Sequence, residues 1–303
     1  MSLDELRELL DRHARPDLAT AVEGVRICKT DHAAAPQTSM SGTVLAVIAQ
    51  GRKRLALGDR FYDYGPGQYL IASVDLPVTG HVIDADAGRP TLGFGMSLEP
   101  AAIAELLLQA GPWDLPRSVS AARPGIAVST APAVLLDAIV RLLRLLDRPQ
   151  DRKALVPLVK REILWRLMTG EQGDVVRQLG LADSSLSHIT RAVRWIRENY
   201  AQPFRVEDVA SLSGMSVSAF HRNFQAVTAM SPIQFQKHIR LQAARLLLAN
   251  SPNDITGVGN RVGYDSPSQF SREYRRQFGV APSHDAVRIR GGADADCAAA
   301  ALP

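Results

Sequence analysis

The chain has 303 residues, enough for two domains with separate cores, and its 46% apolar and 22% charged residues are ordinary for a globular protein. No apolar run reaches the ~18 residues of a membrane span, the acidic start at Asp4 and Glu5 is unlike a secretory leader, and Cys28 and Cys297 alone imply no disulfide framework, so the expected location is the cytoplasm. The net charge of +4 is uneven: residues 188–290 hold 14 Lys/Arg against 7 Asp/Glu, a balance of +7 that leaves −3 elsewhere and suits a polyanion partner for that third.

Residues 1–20 read as a short amphipathic helix with Leu3, Leu6, Leu9 and Leu10 on one side. From about Gly24 to Leu98 short strands alternate with turns. Residues 43–49 form a compact apolar strand and 53–57 alternate; Gly58-Asp59 turns the chain into 61–64, and Pro66-Gly67 into 69–71. That spacing predicts an antiparallel barrel or sandwich. Helical periodicity resumes near Pro100, over 102–110, 133–146 and 155–168, and Trp113 and Trp165 are most simply core. Breaks fit best at 147–152 and 170–174. Ile189, Val193 and Ile196 mark a helix that opens a C-terminal domain, and the small residues from Gly291 to Pro303 read as a disordered tail.

The informative feature is an internal repeat. Val206, Val209, Gly214, Ser216, Phe220, Phe224 and Pro232 recur as Ile255, Val258, Gly263, Ser266, Phe270, Tyr274 and Pro282. The offset is 49 residues before the turn and 50 after it, so one copy has an extra turn residue. Two copies of one unit are implied, each reading helix, Gly turn, helix. Ser266, Pro267 and Gln269 spell a helix start with a capping box, and residues 231–234 repeat that grammar before a long joining helix with Ile239, Ala243, Leu246 and Leu247 on its apolar side.

In the second helix of the first copy, Val217, Phe220, Phe224 and Val227 are spaced for the core. Ser218, His221, Arg222 and Gln225 lie opposite. In the second copy Phe270, Tyr274 and Phe278 face inward, leaving Ser268, Gln269, Ser271, Arg272 and Arg275 outward. Arg can pair bidentately with guanine and Gln with adenine in a major groove. One such face is more simply a solvated surface. Two of them, each behind a glycine turn, favour duplex DNA.

These residues resemble the AraC/XylS family of bacterial regulators: residues 240–248, Val262-Gly263-Tyr264, and the run from Ser266 to Gly279 look like its signature. The resemblance covers about 188–288. It implies that the two second helices enter successive major grooves, with Ser218, His221 and Arg222 at bases in one, Ser268, Gln269 and Arg272 in the other, and Ser271 at phosphate. The departure is Gly259, where the family usually has Ala, with Gly257 beside it; each Gly costs on the order of 1 kcal/mol of helix stability relative to Ala, so the second unit is expected to be the less rigid.

Residues 50–53, 57–59, 64–69 and 73–77 resemble the N-terminal domain of one subgroup, over about 20–180. That domain is similar to a cupin-like β-barrel followed by dimerisation helices, and it implies effector sensing. The expected fold is therefore α+β. A domain over 1–186 has its barrel at about 20–98 and helices at about 100–180. An all-α domain over 187–290 holds two helix-turn-helix units joined by a long helix, and 291–303 is a tail. The expected function is a sequence-specific, effector-responsive activator. Its partners are double-stranded DNA, an unknown small molecule in the barrel, a second copy in a homodimer and, for an activator, RNA polymerase, with no membrane.

Enzyme chemistry finds little support. Cupin enzymes hold a metal with a close His-x-His pair, whereas His32 and His81 stand apart. Residues 257–263 imitate a dinucleotide loop, but the third glycine comes late and no strand precedes it. The expectation is no metal, no cofactor and no catalysis. The alternatives are a cupin-type enzyme carrying a DNA-binding domain, and a ligand-free architectural binder. Cys28 is a candidate sensor against the simpler reading of a buried structural thiol.

Overall fold

The structure is a computed structural model that describes residues 3–32, 36–86, 88–111, 114–116, 123–251 and 254–291. The expectations for Trp113 and for the tail beyond Gly291 lie outside them. The described residues divide into two compact units, one up to Ser187 and one from His188 on.

The first unit opens with α1 (Leu3–His13), then runs through β1 (Val25–Thr30), β2 (Gln37–Met40), β3 (Val44–Gln50), β4 (Arg52–Leu57), β5 (Arg60–Tyr64), β6 (Gln68–Ala72), β7 (Pro77–Asp84) and β8 (Thr91–Ser97). After α2 (Pro100–Gln109) come β9 (Ile126–Thr130), α3 (Ala133–Arg144), a 3₁₀ turn (Leu145–Asp147), α4 (Pro149–Thr169) and α5 (Gly173–Leu179). The strands make two antiparallel sheets, in orders β1-β8-β3-β6-β9 and β2-β7-β4-β5. This corrects the expected barrel. No ladder joins the sheet edges among the described residues, and a barrel requires an unbroken one.

Gly51 is where the chain leaves one sheet for the other. Its φ of +79° suits glycine, and a Cβ there would fall 2.0 Å from Thr91 Oγ1. The strand patterns follow from what covers each sheet. β3 is buried at six consecutive positions because one face of its sheet looks into the sandwich and the other packs on α1 and α3 through Leu6, Leu10, Val47, Phe94, Leu135 and Ile139. β4 alternates, with Lys53, Leu55 and Leu57 buried and Arg52 and Arg54 exposed, because only one of its faces is covered.

Two expectations fail here. β9 lies inside the stretch from about 100 to 180 read as helical, where it pairs with β6. The break at 147–152 shrinks to the 3₁₀ turn and Arg148, because Pro149 starts α4 where its missing N–H is harmless. Trp165 packs against the core, half-buried.

α6 (Ser185–Glu198), from His188 on, opens the second unit, followed by α7 (Val206–Leu212), α8 (Val217–Thr228), α9 (Pro232–Asn250), α10 (Ile255–Arg261), α11 (Pro267–Phe278) and α12 (Pro282–Gly291). The repeat is visible in the geometry. α7 and α10 have seven residues each, α8 and α11 twelve each. Gly214 and Gly263 both turn with positive φ. Met215 and Ser216 lead from the first glycine to α8, whereas Tyr264, Asp265 and Ser266 lead from the second to α11, which accounts for the one-residue difference in offset.

Candidate nucleic-acid interface

Each second helix is held at both ends by its own sequence. Ser216 and Ser266 are N-caps whose side chains accept from the amides of Ala219 and Gln269. The C-caps are Ala229 and Gly279, both left-handed, with φ of +58° and +75°. Along α8, Phe220, Phe224 and Val227 are buried, the two rings 5.3 Å apart and Phe224 edge-on to Phe235 of α9. Along α11, Phe270 and Tyr274 are buried and Phe278 packs against them. Val217 departs from the expected stripe: as the first residue of α8 it overhangs the core and is 39% exposed.

The opposite faces are open. Ser218, His221, Arg222 and Gln225 are exposed on α8; Ser268, Gln269, Arg272 and Arg275 are exposed on α11, and Ser271 is half-buried. Arg222, Arg272 and Arg275 have no ion-pair partner among the described residues. α8 contains no acidic residue, and the one carboxylate of α11, Glu273, is turned inward. Each face therefore presents guanidinium, amide and hydroxyl donors with no neutralising acid.

Glu273 is a fixed point that the sequence reading did not single out. It accepts from Lys237 Nζ of α9 at 2.8 Å, from the Tyr264 hydroxyl at 2.8 Å and from Gln269 Nε2 at 3.3 Å. Burial pushes its carboxyl up, but those hydrogen bonds outweigh it and hold the group below its ordinary 4.5. Gln269 is thus engaged with Glu273, and the expected capping box at Ser266 is only half-formed. The full box appears at α9, where Ser231 and Gln234 each bond the other's backbone.

α9 joins the two repeats through polar contacts. Arg240 donates to the carbonyls of Tyr200 and Gly263, each at 2.7 Å, and to Ala201 at 3.3 Å, while Gln236 donates to Tyr200 and Gln202. One guanidinium thereby satisfies the chain after α6 and the turn before α11. Gly263 must be glycine twice over: its φ is +91°, and a Cβ would lie 2.2 Å from the Ala201 carbonyl and 2.9 Å from the Arg240 guanidinium. Buried Asp285 of α12 receives Arg245 at 3.0 Å and the Tyr274 hydroxyl at 2.9 Å. Ile239 is buried and Ala243 and Leu247 half-buried as expected, but Leu246 is 74% exposed, and Leu241, Ala244 and Leu248 are buried instead.

Gly259 has a packing reason. A Cβ there would stand 3.2 Å from Cδ1 of Phe270, so the glycine lets α10 approach α11 closely.

A family model described as the AraC-type transcriptional regulator N-terminus matches residues 21–175, and a helix-turn-helix domain model matches residues 209–286. The chain belongs to the AraC-type transcriptional regulators. Within this family it is 28% identical to the transcriptional activator RhaS of Klebsiella pneumoniae over 124 residues, 40% of this chain and 43% of that protein. It is also 28% identical to the thermoregulatory protein LcrF of Yersinia pestis over 175 residues, 56% of this chain and 62% of that protein. The match thus spans roughly half the length of these relatives. Among solved structures, ToxT of Vibrio cholerae O395 aligns with a TM-score of 0.52 at 8% identity, covering 89% of this chain and 100% of that one, a likeness of fold alone.

Elsewhere, His32 is exposed beside Asp31, 2.8 Å away, and His81 sits on β7 opposite Arg54. No described helix is long and apolar enough to cross a membrane.

Proposed function

We propose that this AraC-type regulator reads its operator by placing α8 and α11 in successive major grooves, with Arg222 and Arg272 at base edges and Ser218, His221, Gln225, Ser268, Gln269, Ser271 and Arg275 at neighbouring bases or phosphates. The observation that carries the reading is the pair of repeated helices, each aromatic inside, with Arg222 on one and Arg272 and Arg275 on the other lying outside without an ion-pair partner among the described residues. In this reading the first unit senses a small effector and pairs with a second copy, and the bound regulator activates transcription by engaging RNA polymerase in the cytoplasm. It works as a regulator, without catalysis.

The test is a genome-wide binding map followed by footprinting of the strongest site. Arg222→Ala or Arg272→Ala is expected to weaken specific binding by about 1–3 kcal/mol and relax base preference at one position each. Each monomer should protect two grooves about 34 Å apart. If both variants footprint like the parent, the assigned readers are wrong; protection of one groove only would make the second unit inert.

A further inference from the structure

The carboxylate of Glu273 meets three elements at once. Its side chain is 12% exposed; one oxygen accepts from Lys237 of α9 and from Gln269 of α11, the other from the Tyr264 hydroxyl in the turn before α11. Tyr264 is packed in turn, its ring 5.4 Å from that of Phe270 and the Arg240 guanidinium 5.8 Å from its centre. Burial raises its phenol well above the ordinary 10, so it stays protonated and donates. The Glu273 carboxyl lies below its ordinary 4.5 and is ionised at neutral pH. A glutamine–glutamate pair one helical turn apart is weak on an open surface, but here the acceptor is pinned from two other elements.

An ionised carboxylate can only accept, whereas a glutamine amide carries a carbonyl on one side and an NH₂ on the other. A free amide turns about its last side-chain bond and offers either. Beside Glu273 that freedom is gone: the NH₂ of Gln269 faces the carboxylate, since the reversed amide would set oxygen against oxygen. No described residue donates to the carbonyl oxygen left over, and Gln269 is exposed at the third position of α11. The first residues of a recognition helix are those that meet base edges. The first copy lacks the device. At the offset of 50, Asn223 stands for Glu273 and Ala219 for Gln269, and Asn223 has no side-chain hydrogen bond among the described residues.

We propose that Glu273 is a positioning residue that fixes the polarity of the Gln269 amide, so that α11 selects at one operator position a base with an exocyclic amine on its major-groove edge. Adenine and cytosine have that amine; guanine and thymine offer no donor there. This rests on the reading of α11 as a base-reading helix and adds what one of its residues selects.

The experiment selects binding sites for the full chain from a library of randomised duplexes and compares the parent with Gln269→Ala and Glu273→Gln. The parent favours adenine or cytosine about tenfold over guanine and thymine at one position of the α11 half-site, the worth of one hydrogen bond. Gln269→Ala makes that position indifferent and so identifies it. The amide introduced by Glu273→Gln can donate as well as accept, so Gln269 turns either way. Guanine and thymine are then admitted, and the preference falls to about threefold or less while the α8 half-site is unchanged. A purely structural Glu273 would lower affinity for every sequence alike. A second readout uses the parent alone: in its best duplex the favoured base is replaced by its analogue without the exocyclic amine, and binding weakens about tenfold. A parental preference for guanine or thymine at the Gln269 position, a preference that survives Glu273→Gln, or an amine-free base bound as well as the natural one overturns the proposal. The two readings fail differently. No selected motif removes the functional reading and the proposal with it; a motif spanning two grooves that Gln269→Ala leaves untouched overturns the proposal alone.

Discussion

Replacing Lys53 by Met is expected to make the protein more stable at neutral pH, although it removes a charged side chain from a well-formed strand. Burial lowers the amine from 10.5 to about 8. At about 1.4 kcal/mol for each tenfold change in proton affinity, the ammonium costs the folded state about 3 kcal/mol. The penalty is fully present below pH 8, where folded and unfolded chains both carry the proton. Between pH 8 and 10.5 the folded chain releases its proton while the unfolded chain keeps it, so parental stability rises relative to the variant. Above 10.5 both are neutral and the electrostatic difference has gone. Met is similar in length and lets the site close on apolar neighbours. Parallel urea denaturations of parent and Lys53→Met at pH 7, 9 and 10.5, followed by circular dichroism, measure this directly. The gap is expected to be about 3 kcal/mol at pH 7 and to narrow steadily. A variant no more stable than the parent at pH 7, or a gap indifferent to pH, would show that the amine is solvated or paired, and the reasoning would fail.

Other positions lend themselves to the same treatment. Ala229 occupies the left-handed cap where the second copy has Gly279. That conformation costs an L-residue roughly 1–2 kcal/mol, and glycine gives back part through its freer unfolded chain, so Ala229→Gly is expected to stabilise by about 0.5–1 kcal/mol in thermal denaturation. Arg240→Ala leaves carbonyls on two segments without their donor and is expected to destabilise by about 2–4 kcal/mol; Arg240→Lys recovers little, since an ammonium cannot span both. Glu273→Gln removes the ion pair to Lys237 and frees Gln269, and binding-site selection should show a changed base preference at the position Gln269 contacts while circular dichroism stays helical. Because the folded Glu273 carboxyl lies below its ordinary 4.5, its contribution is present above 4.5 and lost as pH falls through the depressed folded value; Glu273→Gln should therefore flatten the acid limb of the stability curve.

The outward faces of α8 and α11 were legible because a 3.6-residue period needs only local sequence: aromatic residues four apart define the buried stripe, and Arg222 and Arg272 fall opposite it. The period says less where a helix touches more than one partner. α9 is buried on several sides by the two repeats, so a single stripe put Leu246 inside when it occupies the remaining open side. Long-range hydrogen bonds leave no period at all. Arg240 lies within the signature run, but its partners Tyr200 and Gly263 are 40 and 23 positions away. β9 carries β-branched Ile126, Val128 and Thr130, but its partner β6 is distant in sequence, and that pairing leaves no local mark.

Lys53 is the instructive intermediate case. The strand 53–57 was read as alternating, and strict alternation places residue 53 on the same side as Leu55 and Leu57. A lysine at the covered end of such a strand ordinarily extends its stem and carries its charge to solvent. Here Tyr64 lies directly across the ladder and β3 and β8 pack over it, so the ammonium stays inside. The alternation was visible in the sequence, while the absence of an acid within reach required both sheets to be in place. An acidic residue at Ala46 or Gly95 would fill the small cavity beside Lys53 and neutralise the amine from within. Ala46→Asp is accordingly expected to raise the Lys53 pKa toward its ordinary 10.5 and to remove the pH dependence of the stability gap to Lys53→Met. A variant that folds and keeps that pH dependence would mean the charge is met somewhere other than between the sheets.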